Sequence, residues 1–304
     1  MLGLAGLTAE EITDLLDRGE RMLDSPVPGN WTAPGLSVAN LILEPSSRTR
    51  CSFELAEQRL QVEHLTIIEG SSIIKGETLA DTARTLAAMG VNTFVLRHPH
   101  VGAPKRLASA VPSAHVVNAG DGTGEHPTQG LLDMLTLRRF WGALKGRKVL
   151  IVGDIVHSRV ARSNYHGLTT LGGSVMFCGP GSLLPPQDEF PKAELSSDLD
   201  AALESCDAVM ALRIQRERLA HDEVCPDGES FRQQYGLTVH RAARLRSDVP
   251  ILHPGPFNRD IEVDGAVADS DRALIWPQVA AGVAIRMALL MRLSEVRREL
   301  GLTP

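Results

Sequence analysis

At 304 residues the chain is long enough for two domains of roughly 150 residues, each with its own core. Its composition, 43% hydrophobic and 22% charged, is that of a globular protein, and a net charge of -6 offers no basic face for nucleic acid, so any anion site must be a local concentration of arginines. No apolar run approaches the ~18 residues of a membrane span, the N-terminus lacks a signal-peptide pattern, and Cys51, Cys178, Cys206 and Cys225 form no C-x-x-C pair, which fits reduced thiols in the cytoplasm.

Leu7-Thr8-Ala9-Glu10-Glu11 reads as a capping box, with Ile12, Leu15, Leu16 and Met22 at helical spacing after it and Pro26, Pro28 and Gly29 ending the helix. Leu36 to Leu43 is apolar and β-prone, and Glu44-Pro45 stops it because proline supplies no ladder donor. Phe53, Leu55, Ala56 and Leu60 then mark the apolar face of a helix, which puts Ser46, Ser47, Arg48 and Thr49 at a strand-to-helix turn. Free backbone N–H groups and the positive end of the helix dipole converge at such a turn. Two serines, a threonine, Arg48 and Arg50 there make a site for a small oxyanion, a phosphate above all. An N-cap serine followed by solvated arginines is the plainer reading, and the density of donors directly after a strand argues against it.

Thr66 to Ile68 is a short strand that runs into a loop over 70–77, where Lys75 precedes a helix over 78–89 closed by Gly90. A strand over 91–96 delivers Arg97 at its C-terminal end, where open α/β sheets bind ligands. A further strand over 113–118 leads through a glycine-rich turn to His126-Pro127-Thr128-Gln129, with the proline at its preferred place in the first turn of a helix. The positive helix end disfavours imidazolium, so His126 should be a neutral hydrogen-bond donor, the form suited to polarising a carbonyl.

Gly142 to Gly146 marks the domain boundary, and Lys148 to Val152 is a buried strand that starts a second βα series. Dinucleotide binding would need G-x-G-x-x-G after it, whereas the turn reads Gly153-Asp154-Ile155-Val156-His157-Ser158-Arg159, too bulky for close backbone approach to a pyrophosphate. Arg159 opens the next helix, closed by Gly172-Gly173; a strand follows over 174–178, and Ser197 caps a short helix before a strand over 207–212. That strand ends in Arg213-Ile214-Gln215. Two arginines at equivalent strand ends, Arg159 and Arg213, suit a dicarboxylate, since each guanidinium holds one carboxylate bidentately. Residues 216–236 read as a mobile polar flap or a plain surface loop. His253-Pro254-Gly255-Pro256 is a proline-stiffened turn able to hold backbone carbonyls against an ammonium group, and Trp276-Pro277-Gln278 begins a last, broadly apolar helix.

Five of these segments resemble the transcarbamoylase family in order and spacing. Ser46-Ser47-Arg48-Thr49-Arg50 resembles its Ser-Thr-Arg-Thr-Arg carbamoyl-phosphate motif with serine at position 47, and residues 126–129 resemble its His-Pro-Thr-Gln element; residues 71–81 and 253–259 resemble the loop and the His-Pro-Gly-Pro element of its aspartate-specific branch, and Arg159, Arg213 and Gln215 match its aspartate ligands. The resemblance implies an α/β chain of two Rossmann-like domains, each with a central parallel sheet flanked by helices, and an active site in the interdomain cleft. The expected boundaries are 1–141, joined by the C-terminal helix at about 277–304, for carbamoyl phosphate and 142–276 for aspartate. It further implies that Ser46, Ser47, Arg48, Thr49, Arg97, His126 and Gln129 bind carbamoyl phosphate, with Ser71 and Lys75 reaching in from a neighbouring subunit of a homotrimer. Arg48, Thr49, Lys75, Arg97 and His126 would be catalytic; Lys75, Arg159, Arg213, Gln215, Pro254 and Gly255 would bind aspartate. The implied reaction is carbamoyl transfer to L-aspartate in de novo pyrimidine (UMP) biosynthesis, with no metal and no cofactor. An ornithine-like acceptor, a non-catalytic scaffolding homologue, and assembly with regulatory chains or a dihydroorotase-like partner stay open.

Overall fold

Residues 1–25, 31–68, 76–218 and 226–302 are described by a computed structural model and fall into two units, Met1–Leu135 with Ala280–Pro304 and Thr136–Val279. In the first unit, β1 (Ser37–Ile42), β2 (Glu63–Ile68), β3 (Thr93–His98) and β4 (His115–Asp121) form a parallel sheet in the order β2-β1-β3-β4. Parallel pairing requires crossovers, and α2 (Ser47–Arg59), α3 (Leu79–Ala88) and α4 (Ala103–Ala110) supply them. Strands covered by helices on both faces read as near-continuous apolar runs, and β1 and β3 are accordingly buried along almost their whole length. Leu41, Phe94 and Leu96 pack with Leu86 and Leu107 in that core. The N-terminal helix α1 (Ala9–Asp24) carries the expected capping box, Glu11 N donating to Thr8 Oγ1 and Thr8 N to Glu11 Oε2. The proposed terminators Pro26, Pro28 and Gly29 lie outside the described residues.

The second unit repeats the plan. Strands β5 (Lys148–Val152), β6 (Ser174–Cys178), β7 (Glu194–Ser196), β8 (Ala208–Ala211) and β9 (Ile251–Leu252) form a parallel sheet in the order β7-β6-β5-β8-β9. Its helices are α6 (Arg159–Thr170), α7 (Leu199–Glu204), α8 (Gly228–Tyr235), α9 (Val239–Arg244) and α10 (Gly265–Ala268). Two longer helices, α5 (Pro127–Trp141) and α11 (Ile275–Glu299), hold the positions where the chain leaves one unit and enters the other.

Several local expectations are corrected. The helix over 199–204 is capped by Asp198, whose carboxylate accepts from Ala201 N at 3.0 Å, and not by Ser197. The segment 216–236 is not loop throughout: α8 occupies its second half because Phe231 and Tyr235, four apart, bury on one face. Helix α4 goes unread in the sequence because it is short and opens on Gly102 in a left-handed conformation without a side-chain cap. Among the described residues Cys51, Cys178 and Cys206 are free thiols; burial pushes Cys178 up to about 12 and Cys206 up to about 11, so neither is a nucleophile.

In both sheets the strand order reverses once. From β1 the chain moves to β2 on one side, while β3 leads to β4 on the other; β5 and β8 diverge in the same way. Loops leaving such neighbouring strands part from one another and open a crevice beyond the strands' carboxyl ends. The segments after β1, β3, β5 and β8 are therefore the places to look for chemistry.

One buried acid lies between α2 and β1. Glu57 of α2 is fully buried; its Oε2 accepts from Asn40 Nδ2 of β1 at 2.8 Å, and Oε1 has no partner among the described residues. Desolvation pushes this carboxyl up to about 7. A folded value above the unfolded one means that ionisation destabilises the fold as pH rises from about 4.5 to about 7, and the penalty is complete above that window. Glu57→Gln should therefore raise stability at pH 8 by on the order of 1–3 kcal/mol and leave it nearly unchanged at pH 4. Urea unfolding at the two pH values tests this; an equal effect at both would show that the charge is irrelevant.

Candidate active site

At the end of β1 the chain turns into α2 with Ser46 as the N-cap. Ser46 Oγ accepts from Thr49 N at 3.4 Å and donates to Thr49 Oγ1 at 2.9 Å, which fixes both hydroxyls on the first turn. Thr49 is buried, whereas Ser47 and Arg48 are exposed. No carboxylate among the described residues pairs with Arg48, and crowding by neighbouring atoms lowers its guanidinium from the ordinary value. The turn thus presents a cation and first-turn backbone donors with no paired anion among the described residues.

Arg97 lies within β3, opposite Ile42 in the register, rather than beyond the strand end, because pairing with β1 carries β3 through Arg97 and pairing with β4 extends it to His98. The carbonyl of Arg97 accepts from Leu43 N at 2.9 Å, and its Nη2 lies 3.3 Å from Glu44 Oε1. The guanidinium is thereby held beside the turn after β1. From β4, a tight network delivers His126. Asp121 Oδ1 accepts from Glu125 N and Asn118 Nδ2, both at 2.9 Å, and Asp121 Oδ2 accepts from Gly102 N at 2.7 Å. Gly122 has φ +50°, and a Cβ there would stand 2.5 Å from the Pro99 carbonyl, so only glycine fits this turn. His126 is buried directly ahead of α5, its carbonyl accepting from Gln129 N at 2.9 Å and Gly130 N at 3.2 Å. Gln129 is buried one turn into the helix and donates through Nε2 to Asp133 at 2.9 Å.

In the second unit the corresponding crevice is built around Asp154, which is completely buried after β5. Its Oδ1 accepts from His157 N at 3.2 Å and stands 2.9 Å from His157 Nδ1, while Oδ2 accepts from Gln215 N at 3.0 Å. One carboxylate thus ties the loop after β5 to the loop after β8. Gly153 permits the close approach: with φ +133°, its Cβ would lie 2.5 Å from the Leu212 carbonyl. Ser158 caps α6, accepting from Ala161 N at 3.1 Å, and Arg159 follows as the first helical residue, buried. Arg213 Nη2 reaches Gln215 Oε1 at 3.4 Å and Gln215 Nε2 reaches Arg213 O at 3.3 Å, so these two side chains brace one another. Beyond β9, His253 Nδ1 accepts from Gly255 N at 2.8 Å and Gln278 Oε1 accepts from His253 N at 3.0 Å, which stiffens the turn bearing Pro254 and Gly255.

The first unit therefore gathers Ser46, Ser47, Arg48, Thr49, His126 and Gln129 on the segments following β1 and β4, with Arg97 near the end of β3 itself. The second gathers Arg159, Arg213, Gln215, Pro254 and Gly255 on those following β5, β8 and β9. Ser71 and Lys75 lie outside the described residues. Glu44, Asp133 and Asp154 are acids that sequence reasoning passed over; an acid one or two residues past a strand is the signal that marks Glu44 and Asp154. Among the described residues no group of three or more His, Cys, Asp or Glu side chains is placed to hold a metal ion.

The carbamoyl-P binding domain of the aspartate/ornithine carbamoyltransferases matches residues 1–139, and the Asp/Orn binding domain of the same family matches residues 145–293. The aspartate carbamoyltransferase catalytic subunit of Sorangium cellulosum is 47% identical over 310 residues, covering 100% of this chain and 95% of its own length. The catalytic subunit of M. jannaschii aspartate transcarbamoylase superposes with a TM-score of 0.83 at 32% identity, over 98% of each chain. Aspartate transcarbamoylase from Trypanosoma cruzi, in complex with carbamoyl aspartate and phosphate, superposes at 0.84 and 29% identity, over 96% of this chain and 94% of that one.

Replacing Asp154 by alanine strands the Gln215 amide and both His157 donors in a buried setting. Asp154→Ala should lower stability by about 2–4 kcal/mol, and Asp154→Asn, which keeps an acceptor, by less. Thermal unfolding of the two variants tests the tie; a midpoint unchanged in Asp154→Ala would refute it.

Proposed function

The chain belongs to the aspartate/ornithine carbamoyltransferase family, and from that membership we propose that it transfers the carbamoyl group of carbamoyl phosphate to the amine of L-aspartate. The products are N-carbamoyl-L-aspartate and phosphate, a step of de novo pyrimidine biosynthesis. The observation that carries this reading is that each unit concentrates cationic and hydrogen-bonding groups at its own sheet reversal, with oxyanion donors in the first and two arginines in the second.

In this reading the phosphate of carbamoyl phosphate rests on the first turn of α2, against Ser46, Ser47, Arg48 and Thr49. Arg97, His126 and Thr49 donate to the carbonyl oxygen, whose charge grows as the tetrahedral transition state forms. Gln129 accepts from the carbamoyl amino group. Arg159 holds the α-carboxylate of aspartate, Arg213 and Gln215 hold its β-carboxylate, and carbonyls of the Pro254–Gly255 turn face its amine. The uncharged amine attacks the carbonyl carbon, the C–O bond to phosphate breaks, and the departing phosphate accepts the amine proton. Orientation and preorganised charge supply the rate enhancement. Ornithine is a poorer fit, since its side-chain ammonium would meet the Arg213 guanidinium. Ser71 and Lys75 complete the site from the adjacent subunit of a cytoplasmic homotrimer, a role resting on resemblance of residues 71–81 to the family's loop.

Carbamoyl-phosphate-dependent product formation, run with L-aspartate and L-ornithine in parallel alongside the mass in solution, is the direct test. Product with aspartate alone, from a trimer or its multiple, supports the whole reading. Product with ornithine overturns the acceptor assignment, and silence with both overturns the activity. Arg48→Ala and His126→Ala should each reduce kcat by about 10²–10³-fold, the usual effect of losing a transition-state donor; near-normal turnover in either folded variant removes that residue from the mechanism. Arg213→Ala should instead act mainly through KM for aspartate.

A further inference from the structure

The amide of Gln129 can be held in either of two senses, and only one suits a carbamoyl group. Its Nε2 lies 2.9 Å from Asp133 Oδ1, one turn further along α5, and Asp133 is completely buried. A carboxylate has only acceptors to offer, so it dictates that the amide nitrogen faces it and that Gln129 Oε1 turns away. Without Asp133 the nitrogen and the oxygen would be interchangeable.

Arg286 of α11, itself 3% exposed, lies within electrostatic reach of Asp133. Burial pushes that guanidinium down to about 10 and the Asp133 charge acts in the opposite sense, so Arg286 stays a cation at neutral pH. Arg286 Nη1 donates to the Gly282 carbonyl at 2.8 Å, and the guanidinium lies over the Phe53 ring of α2 at 4.9 Å. A Cβ at Gly282 would meet Arg286 Nη1 at 2.7 Å and Leu132 Cδ2 at 3.2 Å, so glycine leaves room for both neighbours. Through these contacts one buried arginine stands against the helix that begins at Ser47, within electrostatic reach of Asp133.

We propose that Asp133 is a specificity-determining positioning residue that locks Gln129 with its carbonyl oxygen toward the substrate. The site thereby accepts an N–H donor and selects a carbamoyl phosphate over an acyl phosphate with a methyl in place of the amino group. A site built around an acceptor discriminates strongly against an analogue with nothing to donate. The inference rests on carbamoyl phosphate being the first substrate, and its test separates the two.

The experiment measures dissociation constants for carbamoyl phosphate and acetyl phosphate on the wild type, Asp133→Asn, Gln129→Leu and the combination Asp133→Asn/Gln129→Leu. The double variant Asp133→Asn/Arg286→Met removes both buried charges together, so the question can still be read if the single change unfolds the protein. In the wild type, carbamoyl phosphate should bind at least ~10-fold tighter than acetyl phosphate. Asp133→Asn, alone or with Arg286→Met, should erase most of that ratio by weakening carbamoyl phosphate ~10-fold, with acetyl phosphate changed by no more than about twofold. Added to Gln129→Leu, it should change the ratio no further. A merely structural acid would weaken both ligands alike, and that result overturns the proposal, as does an intact ratio in the folded variants. A wild type that does not bind carbamoyl phosphate overturns the substrate reading as well as this one.

Discussion

Everything chemical in this protein depends on a topological constraint: in each parallel sheet, two adjacent strands send the chain away in opposite directions. At β1 and β3, and again at β5 and β8, the departing segments part from one another. Helix N-termini open there, bringing unsatisfied backbone donors and a positive dipole to the same spot. The side chains of Ser46, Arg48, Arg97, Arg159 and Arg213 are placed by that geometry more than by any local feature of their own segments.

The second requirement is electrostatic. A chain with a net charge of -6 has to make anion sites by concentrating cations locally, and each concentration is held by acids that serve as tethers. Glu44 lies beside Arg97, Asp154 ties the loop of Arg159 to that of Gln215, and Asp133 orients Gln129 within electrostatic reach of Arg286. Buried carboxylates of this kind are tolerable because nearly all of their capacity is met by backbone or side-chain donors. Glu57 is the exception. With one oxygen unpartnered among the described residues it contributes a pH-dependent weakness to the helix that begins at Ser47.

Much of the local structure was legible in the sequence because its determinants are short in range. Proline after an apolar run ended β1, serine before an apolar stripe capped α2, and Pro127 opened α5 as its preference for a first turn requires. The capping box on α1 and the order of β1, α2, β2, α3, β3, β4 and α5 were read for the same reason. The failures were also local. Two acceptable caps stood side by side at Ser197 and Asp198, and the apolar pair Phe231 and Tyr235 was outweighed by its polar surroundings. Helix α4 is too short to show a period, and β3 ran on past its expected end because β1 lay alongside to pair with it.

The sequence by itself determined the chemical inventory and its spacing: a serine- and arginine-rich turn after a strand, a histidine at a helix start, two arginines near strand ends, and from these the family resemblance. The tertiary structure alone decided which strands lie side by side, and hence that the reversal in each sheet falls at β1/β3 and β5/β8. It alone revealed that Asp154 meets Gln215, 61 positions away, and that Arg286 lies over Phe53. The physical reason is range. Capping, turn chemistry and periodicity act over a few residues and are written in the order of the chain, whereas strand order and buried charge pairs arise only when distant segments share one desolvated space.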